Sequence, residues 1–356
     1  MEIISEAMGK KIVGLAMPTG TFLVLLLIIS SCRGTTQNIP GDGVAELLAI
    51  EIGGMQQWVL IRGANRNNPV LLWLHGGPGA AQMPIHDAFT SELEEEYIVV
   101  HWDQRGAGKS NHRGFAEETM EMAQFVLDVH EVTQYLKKRF DREKIYLLGH
   151  SWGTTLGIQA VYRYPGDYRA FISVAQVVHP QRADKISYQW LRNQVEKEGA
   201  KEDRRKLAEL GLPPFEEHDR YVKFAKMKDA FGGGMDAPFF KLLWKSLGTA
   251  IYSFSDYIAW LKGASRGSGP MWNETREMNL FTEIDTLQIP VFFFTGVHDY
   301  NTPCVLVKEY YQFVQAPRGK VLISFRHSAH TPFIAETVRF NREVIRVKQQ
   351  IERQQP

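Results

Sequence analysis

Five residues, Gly149-His150-Ser151-Trp152-Gly153, join an apolar run at 145–148 to a helix-compatible run at 154–164. A strand, a sharp turn and a helix are expected there, with Ser151 at the apex. A serine in such a turn has a strained backbone and an exposed hydroxyl, and the flanking glycines leave room for strand and helix to approach. This is how a nucleophile for covalent catalysis is presented. A second stretch, His75-Gly76-Gly77-Pro78-Gly79, follows the apolar run 70–74. Its glycines let backbone N–H groups turn inward unobstructed, as the binding of a tetrahedral oxyanion requires. Asp299 lies just beyond the apolar run 291–295, and His330 just beyond 321–325. Serine, aspartate and histidine therefore occur in that order, each at the end of an expected strand, where open α/β sheets gather their functional groups.

Other chemistry is disfavoured by spacing. Gly106, Gly108, Lys109 and Ser110 lack the Walker separation of a phosphate loop. His327 and His330 are three apart without a helical glutamate motif, so no metal site is expected, and no cofactor motif is present. His327 is the rival to His330 as base, whereas Asp285 and His298 read as polar loop groups. The chain has 41 Lys and Arg against 40 Asp and Glu, interleaved, so nothing electrostatic points to nucleic acid. Two cysteines, Cys32 and Cys304, give no disulfide framework.

The elements that must position these groups follow from periodicity. A hairpin is expected at 47–52 and 57–61 around Gly53-Gly54, then buried parallel strands at 70–74, 98–100, 145–148, 171–174, 291–295 and 321–325. Met122, Phe125, Val126, Val129, Val132, Thr133 and Leu136 trace one face of a helix at 119–140. Further helices are expected at 305–313 and 334–351, and the acidic run 92–96 reads as a solvated helix end. From 178 to 287 strand signals disappear and large aromatics abound, which predicts an inserted helical cap. Most of those aromatics are assigned to a cap core, with about a quarter facing a substrate pocket. Gly232-Gly233-Gly234 and the segment 263–270 read as flexible breaks.

The chain resembles the alpha/beta hydrolases, and within them the proline iminopeptidase family. The resemblance rests on His75-Gly76-Gly77-Pro78-Gly79, on Asp103-Gln104-Arg105-Gly106 with Gly108 and Ser110, and on Gly149-His150-Ser151-Trp152-Gly153. It covers most of the chain from 44 onward except the cap. It implies a mostly parallel sheet flanked by helices, with core segments 44–177 and 288–356 around a cap at 178–287. It implies Ser151 as nucleophile, His330 as general base and then acid, and Asp299 as the group orienting His330. The oxyanion donors become the N–H groups of Gly77, Gly76 and Trp152, while Asp103 and Arg105 take structural roles. Many members carry Gly-Gly-Ser-Trp-Gly at the turn, so His150 is a departure.

The implied reaction is acyl transfer through Ser151, on the N-terminal residue of short peptides, with a carboxylic-ester hydrolase as the alternative. An aminopeptidase must bind an ammonium group, and Glu196, Glu198, Glu202, Glu216 and Glu217 are the cap acids considered for it. Epoxide hydrolases and dehalogenases of this fold place an aspartate where Ser151 stands. A non-catalytic binding protein on the same fold is disfavoured, because every catalytic part is present.

Residues 1–32 have export-signal grammar: Lys10 and Lys11, then an uninterrupted apolar run at 22–29. Ile29-Ser30-Ser31-Cys32 resembles a bacterial lipoprotein box, with 33–43 as a tether, so membrane attachment through a lipid on Cys32 is expected. A plain signal peptide or a retained anchor are the alternatives, and translation from Met8 would remove the awkward Glu2 and Glu6. The oligomeric state is not legible.

Overall fold

The computed structural model describes residue 39 and residues 41–354 other than 113, 114, 248 and 250. The expected export signal, Cys32 and most of the tether lie outside the described residues. Among the described residues no helix is long and apolar enough to cross a membrane.

Eight strands form one sheet in the order β1-β2-β4-β3-β5-β6-β7-β8. The hairpin β1 (Val44–Ile52) and β2 (Met55–Gly63) is antiparallel and joins the sheet edge, with β2 antiparallel to β4 (Ile98–Asp103). From β4 onward all pairings are parallel, through β3 (Val70–Leu74), β5 (Ile145–His150), β6 (Tyr168–Val174), β7 (Val291–Gly296) and β8 (Lys320–Phe325). Parallel strands need both faces covered, which explains their unbroken apolar sequences.

Alternate strand residues serve different cores, as the two-residue period dictates. Leu72 and Leu74 share a core with α1 (Met122–Phe140) and α2 (Trp152–Arg163), which Val291 and Phe293 extend toward Tyr310 on the helix after β7, while Leu71, Trp73, Phe292 and Phe294 meet the C-terminal helix. Helix α1 buries Phe125, Val126, Val129, Val132, Thr133 and Leu136 on the expected stripe. It stops at Asp141, whose left-handed φ of 50° turns its N–H back to the Lys137 carbonyl.

Between β6 and β7 the described chain is helical: α3 (Pro180–Glu198), α4 (Lys201–Leu210), α5 (His218–Ala230), α6 (Phe239–Ser246), α7 (Phe254–Ser268), α8 (Trp272–Arg276) and α9 (Leu280–Glu283). Leu191, Val195, Leu207, Leu210, Phe215 and Phe224 make a separate core there. Not every cap aromatic is in that core or at a pocket, since Phe240, Trp244 and Phe254 are 73–82% exposed. The expected break at 263–270 is also corrected. Helix α7 continues to Ser268, and Gly263 lets it pass close to the loops, since a Cβ there would stand 3.1 Å from the Gly79 carbonyl oxygen and 3.2 Å from that of Gly106.

Helix α10 (Cys304–Phe313) follows β7. The single terminal helix expected at 334–351 is two, α11 (Pro332–Ala335) and α12 (Thr337–Arg353). The interruption falls at Glu336, whose carboxylate accepts hydrogen bonds from the His327 N–H and Ser328 hydroxyl at 2.9 Å each, tying it to the loop after β8. The acidic run is likewise only a single turn at Leu93–Glu95, with Glu94 buried against Arg62 at 3.0 Å.

Candidate active site

Because β3 to β8 run parallel, their carboxyl ends share one edge, and the expected chemical groups lie on the loops leaving it. Ser151 sits between β5 and α2 with φ 53° and ψ −117°, a region costly for any residue with a Cβ. The close approach that forces this turn is measurable. A Cβ on Gly149 would lie 2.3 Å from the Gly153 carbonyl oxygen, and one on Gly153 2.2 Å from that of Leu74.

Asp299 and His330 are joined, His330 Nδ1 lying 2.8 Å from Asp299 Oδ2. Asp299 is buried and also accepts from the N–H groups of Asn301 (2.7 Å) and Thr302 (2.9 Å) and from the Thr302 hydroxyl (2.7 Å). Burial alone would raise its pKa. The charge and hydrogen bond of His330, with the Thr302 donors, reverse that and hold it below the usual carboxylate range. An ionised carboxylate only accepts, so the proton of a neutral His330 sits on Nδ1 and Nε2 keeps the lone pair. His327 is exposed and Asp285 and His298 are exposed loop residues, so none belongs to this pair.

Ser151, His330, Gly76, Gly77 and Trp152 line one cavity of about 410 Å³. The glycine loop abuts Ser151: a Cβ on Gly76 would be 3.3 Å from the Ser151 Cβ. Two residues that the sequence left unassigned fix this loop. His75 is buried, its Nδ1 2.7 Å from the Gly76 carbonyl oxygen, while its Nε2 accepts from the Gln104 N–H at 3.2 Å. Gln104 then donates to the His75 carbonyl at 3.1 Å and accepts from the Trp152 indole at 3.0 Å, bridging the loop and the start of α2. Burial pushes the His75 pKa down to about 4, so the ring is neutral, as this pattern requires.

His150, the departure from the family pattern, is also buried and neutral, its pKa pushed down to about 3, chiefly by burial. Its Nδ1 accepts from Gln82 at 2.9 Å and its Nε2 donates to the His330 carbonyl at 3.0 Å. Arg105 holds Asp128 through two bonds of 2.9 and 3.0 Å, both residues buried. Asp103 accepts from the Lys109 N–H at 2.8 Å and from the Tyr252 hydroxyl, and burial raises its pKa to about 7.

Residues 66–203 match the family described as serine aminopeptidase S33. Over 296 residues the chain is 31% identical to a probable aminopeptidase, YbaC, of Bacillus subtilis, covering 82% of this chain and 93% of that one. The chain belongs to the serine aminopeptidase family of alpha/beta hydrolases. A proline iminopeptidase of Clostridium botulinum is 24% identical over 289 residues, 77% of this chain and 87% of its own. The crystal structure of a Mycobacterium smegmatis proline iminopeptidase superposes with a TM-score of 0.61 at 20% identity, covering 86% of this chain and 98% of that one. Esterase and epoxide hydrolase structures share the fold, so architecture alone does not select the reaction.

For this serine aminopeptidase family member the cap supplies the far wall of the cavity. Tyr221, Trp260 and Trp272 are the cap aromatics that line it. Glu196, Glu198, Glu202, Glu216 and Glu217, the acids considered for the ammonium group, are all exposed and line no part of it. Solvated helix surfaces account for them. The carboxylate that does line the cavity is Asp184, on α3, only 7% exposed and accepting no hydrogen bond from any described residue. Burial raises its pKa to about 6 against the opposing charge of Lys228. Asn301 Oδ1, buried and without a donor among the described residues, belongs to the same lining. No motif marks Asp184, because its role depends on cap folding.

Proposed function

We propose that this hydrolase is an aminopeptidase that releases the N-terminal residue of short peptides through a Ser151 acyl-enzyme. In this reading the Ser151 hydroxyl gives its proton to His330 Nε2 as it attacks the scissile carbonyl. The N–H groups of Gly77, Gly76 and Trp152 receive the developing oxyanion, aided by the N-terminus of α2. Asp299 stabilises the imidazolium. His330 then protonates the leaving amine, and a water deprotonated by the same ring releases the amino acid.

The observation that carries the peptidase reading is Asp184, a desolvated carboxylate without a hydrogen-bond donor, in the cavity that Ser151 and His330 also line. A carboxylate and a free amide oxygen facing one space are complementary to an ammonium group, which brings only donors. An ester substrate without an amine would leave Asp184 unpaired. The proposal also retains export and membrane attachment through a lipid on Cys32, for which the sequence at 10–32 is the support.

The test compares a free N-terminal prolyl or alanyl arylamide, its N-blocked form and a simple acyl ester, in wild type and Asp184→Asn. Loss of one charge-assisted hydrogen bond of about 1.5–3 kcal/mol predicts a kcat/KM lower by about 10- to 150-fold for the free amine alone. Equal turnover of free and blocked amides, or an unchanged Asp184→Asn, sinks the aminopeptidase reading and leaves the carboxylic-ester hydrolase.

A further inference from the structure

The run Gly232-Gly233-Gly234, a flexible break by its composition, is a packed turn after α5. A Cβ on Gly233 would lie 2.3 Å from the ring of Trp190, and one on Gly234 1.8 Å from a carboxylate oxygen of Asp229. The same oxygen accepts the Met235 N–H at 2.8 Å. The backbone thus passes where no side chain fits, and its polar groups are spent on two core loops.

The Gly233 carbonyl accepts the Tyr300 N–H at 2.8 Å, and the Gly234 carbonyl accepts the His330 N–H at 3.0 Å. Asp236 supplies the rest: Oδ1 accepts the Ala329 N–H at 2.6 Å, while Oδ2 accepts the Thr331 N–H at 2.6 Å and its hydroxyl at 2.9 Å. Three successive N–H groups centred on His330 are therefore held by the cap. Next to Asp299, the Tyr300 carbonyl accepts from Ser187 on α3 at 2.6 Å and from the buried Lys228 on α5 at 3.2 Å.

We propose that Asp236 is a positioning residue for His330, and that the seating of the cap, not the core alone, sets the imidazole relative to Ser151. On the other side the His150 ring holds the His330 carbonyl, at 3.0 Å. An asparagine at 236 keeps one acceptor oxygen, so one of the two N–H groups flanking His330 loses its acceptor and meets an N–H₂ group instead, and a shift of about 1 Å at a catalytic group can cost roughly 100-fold in rate. Any cap displacement wide enough to separate Asp236 from 329–331 disables the base. Turnover therefore requires a seated cap. The inference rests on the proposed triad and is indifferent to whether the leaving group is an amine or an alcohol.

The experiment measures the rate at which a fluorophosphonate probe labels Ser151 in the full-length protein, with kcat and KM on whichever substrate the wild type turns over. For Asp236→Asn we expect labelling and kcat to fall by about 10- to 100-fold with KM within about twofold. The thermal midpoint stays within a few degrees, and the downfield proton resonance of the His330–Asp299 bond shifts or broadens. Thr331→Val, which removes only the hydroxyl bonds to Asp236, gives the same pattern more weakly and serves if Asp236→Asn does not fold. Labelling within twofold of wild type in a folded variant overturns the inference, as does a loss that merely tracks the unfolded fraction. A wild type that does not label at Ser151 overturns the triad and this inference together, whereas a labelled wild type with unchanged variants overturns this inference alone.

Discussion

Replacing Asp299 by asparagine changes one atom and should disable His330 through its tautomer. Asparagine can sit in two orientations. With its oxygen toward the Asn301 and Thr302 N–H groups, now 2.7 and 2.9 Å from Asp299 Oδ1, its amide N–H₂ faces His330 Nδ1. The imidazole proton is then driven to Nε2, and the lone pair that should receive the Ser151 proton is gone. In the opposite orientation the useful tautomer survives, but two buried N–H groups meet an N–H₂ group. Each unpaired donor costs about 1–3 kcal/mol, so the productive orientation lies about 2–6 kcal/mol higher, a population of roughly one in 30 to one in 20,000. The expected kcat for Asp299→Asn is lower by that range, with KM within about twofold and the fluorophosphonate labelling rate falling in parallel. A folded variant that keeps more than about a third of wild-type kcat, or one whose deficit lies wholly in KM, would show that Asp299 does not fix the tautomer.

Arg105→Ala leaves Asp128, fully buried, without its bidentate partner. It should lower unfolding free energy by about 3–5 kcal/mol in urea titrations while the folded fraction keeps its kcat; a large kcat effect at unchanged stability would make Arg105 catalytic. Acid should also destabilise the fold. His75, His86, His101 and His150 are buried with pKa values lowered mainly by burial, to about 4 for His75 and about 3 for His86 and His150. Below their ordinary value of 6.5 the unfolded chain takes up these protons and the native chain does not, so stability present at neutral pH is lost as pH falls. Carboxylates raised by burial act with the opposite sign, Asp103 to about 7, Asp184 to about 6, and Asp87 and Glu94 also upward, and they offset part of this loss. The urea midpoint should therefore drop from pH 6.5 to pH 5, and a constant or rising midpoint would contradict this proton balance.

The sequence by itself determined whatever depends on neighbours along the chain. Uninterrupted apolar runs fixed the buried parallel strands, the spacing of Phe125, Val129, Val132 and Leu136 fixed the buried face of α1, and the two glycines around Ser151 marked a turn whose closeness admits no Cβ. Strand-end placement singled out Asp299 and His330, because a parallel sheet brings its carboxyl ends to one edge. The family resemblance already preferred His330 to His327, and the tertiary structure separates the two, three residues apart, by burial and by the bond to Asp299. Tertiary structure also turned the triple glycine from an expected flexible break into a packed turn, since what packs against Gly233 is Trp190, more than 40 residues away. Asp184 and Asp236 carry no local signature for the same reason, and Gln104, although it stands in a family motif, shows its bridging role only in the folded chain. A hydrogen bond across more than 90 residues, such as Asp236 to Ala329 at 2.6 Å, exists only when the cap and the core fold against one another.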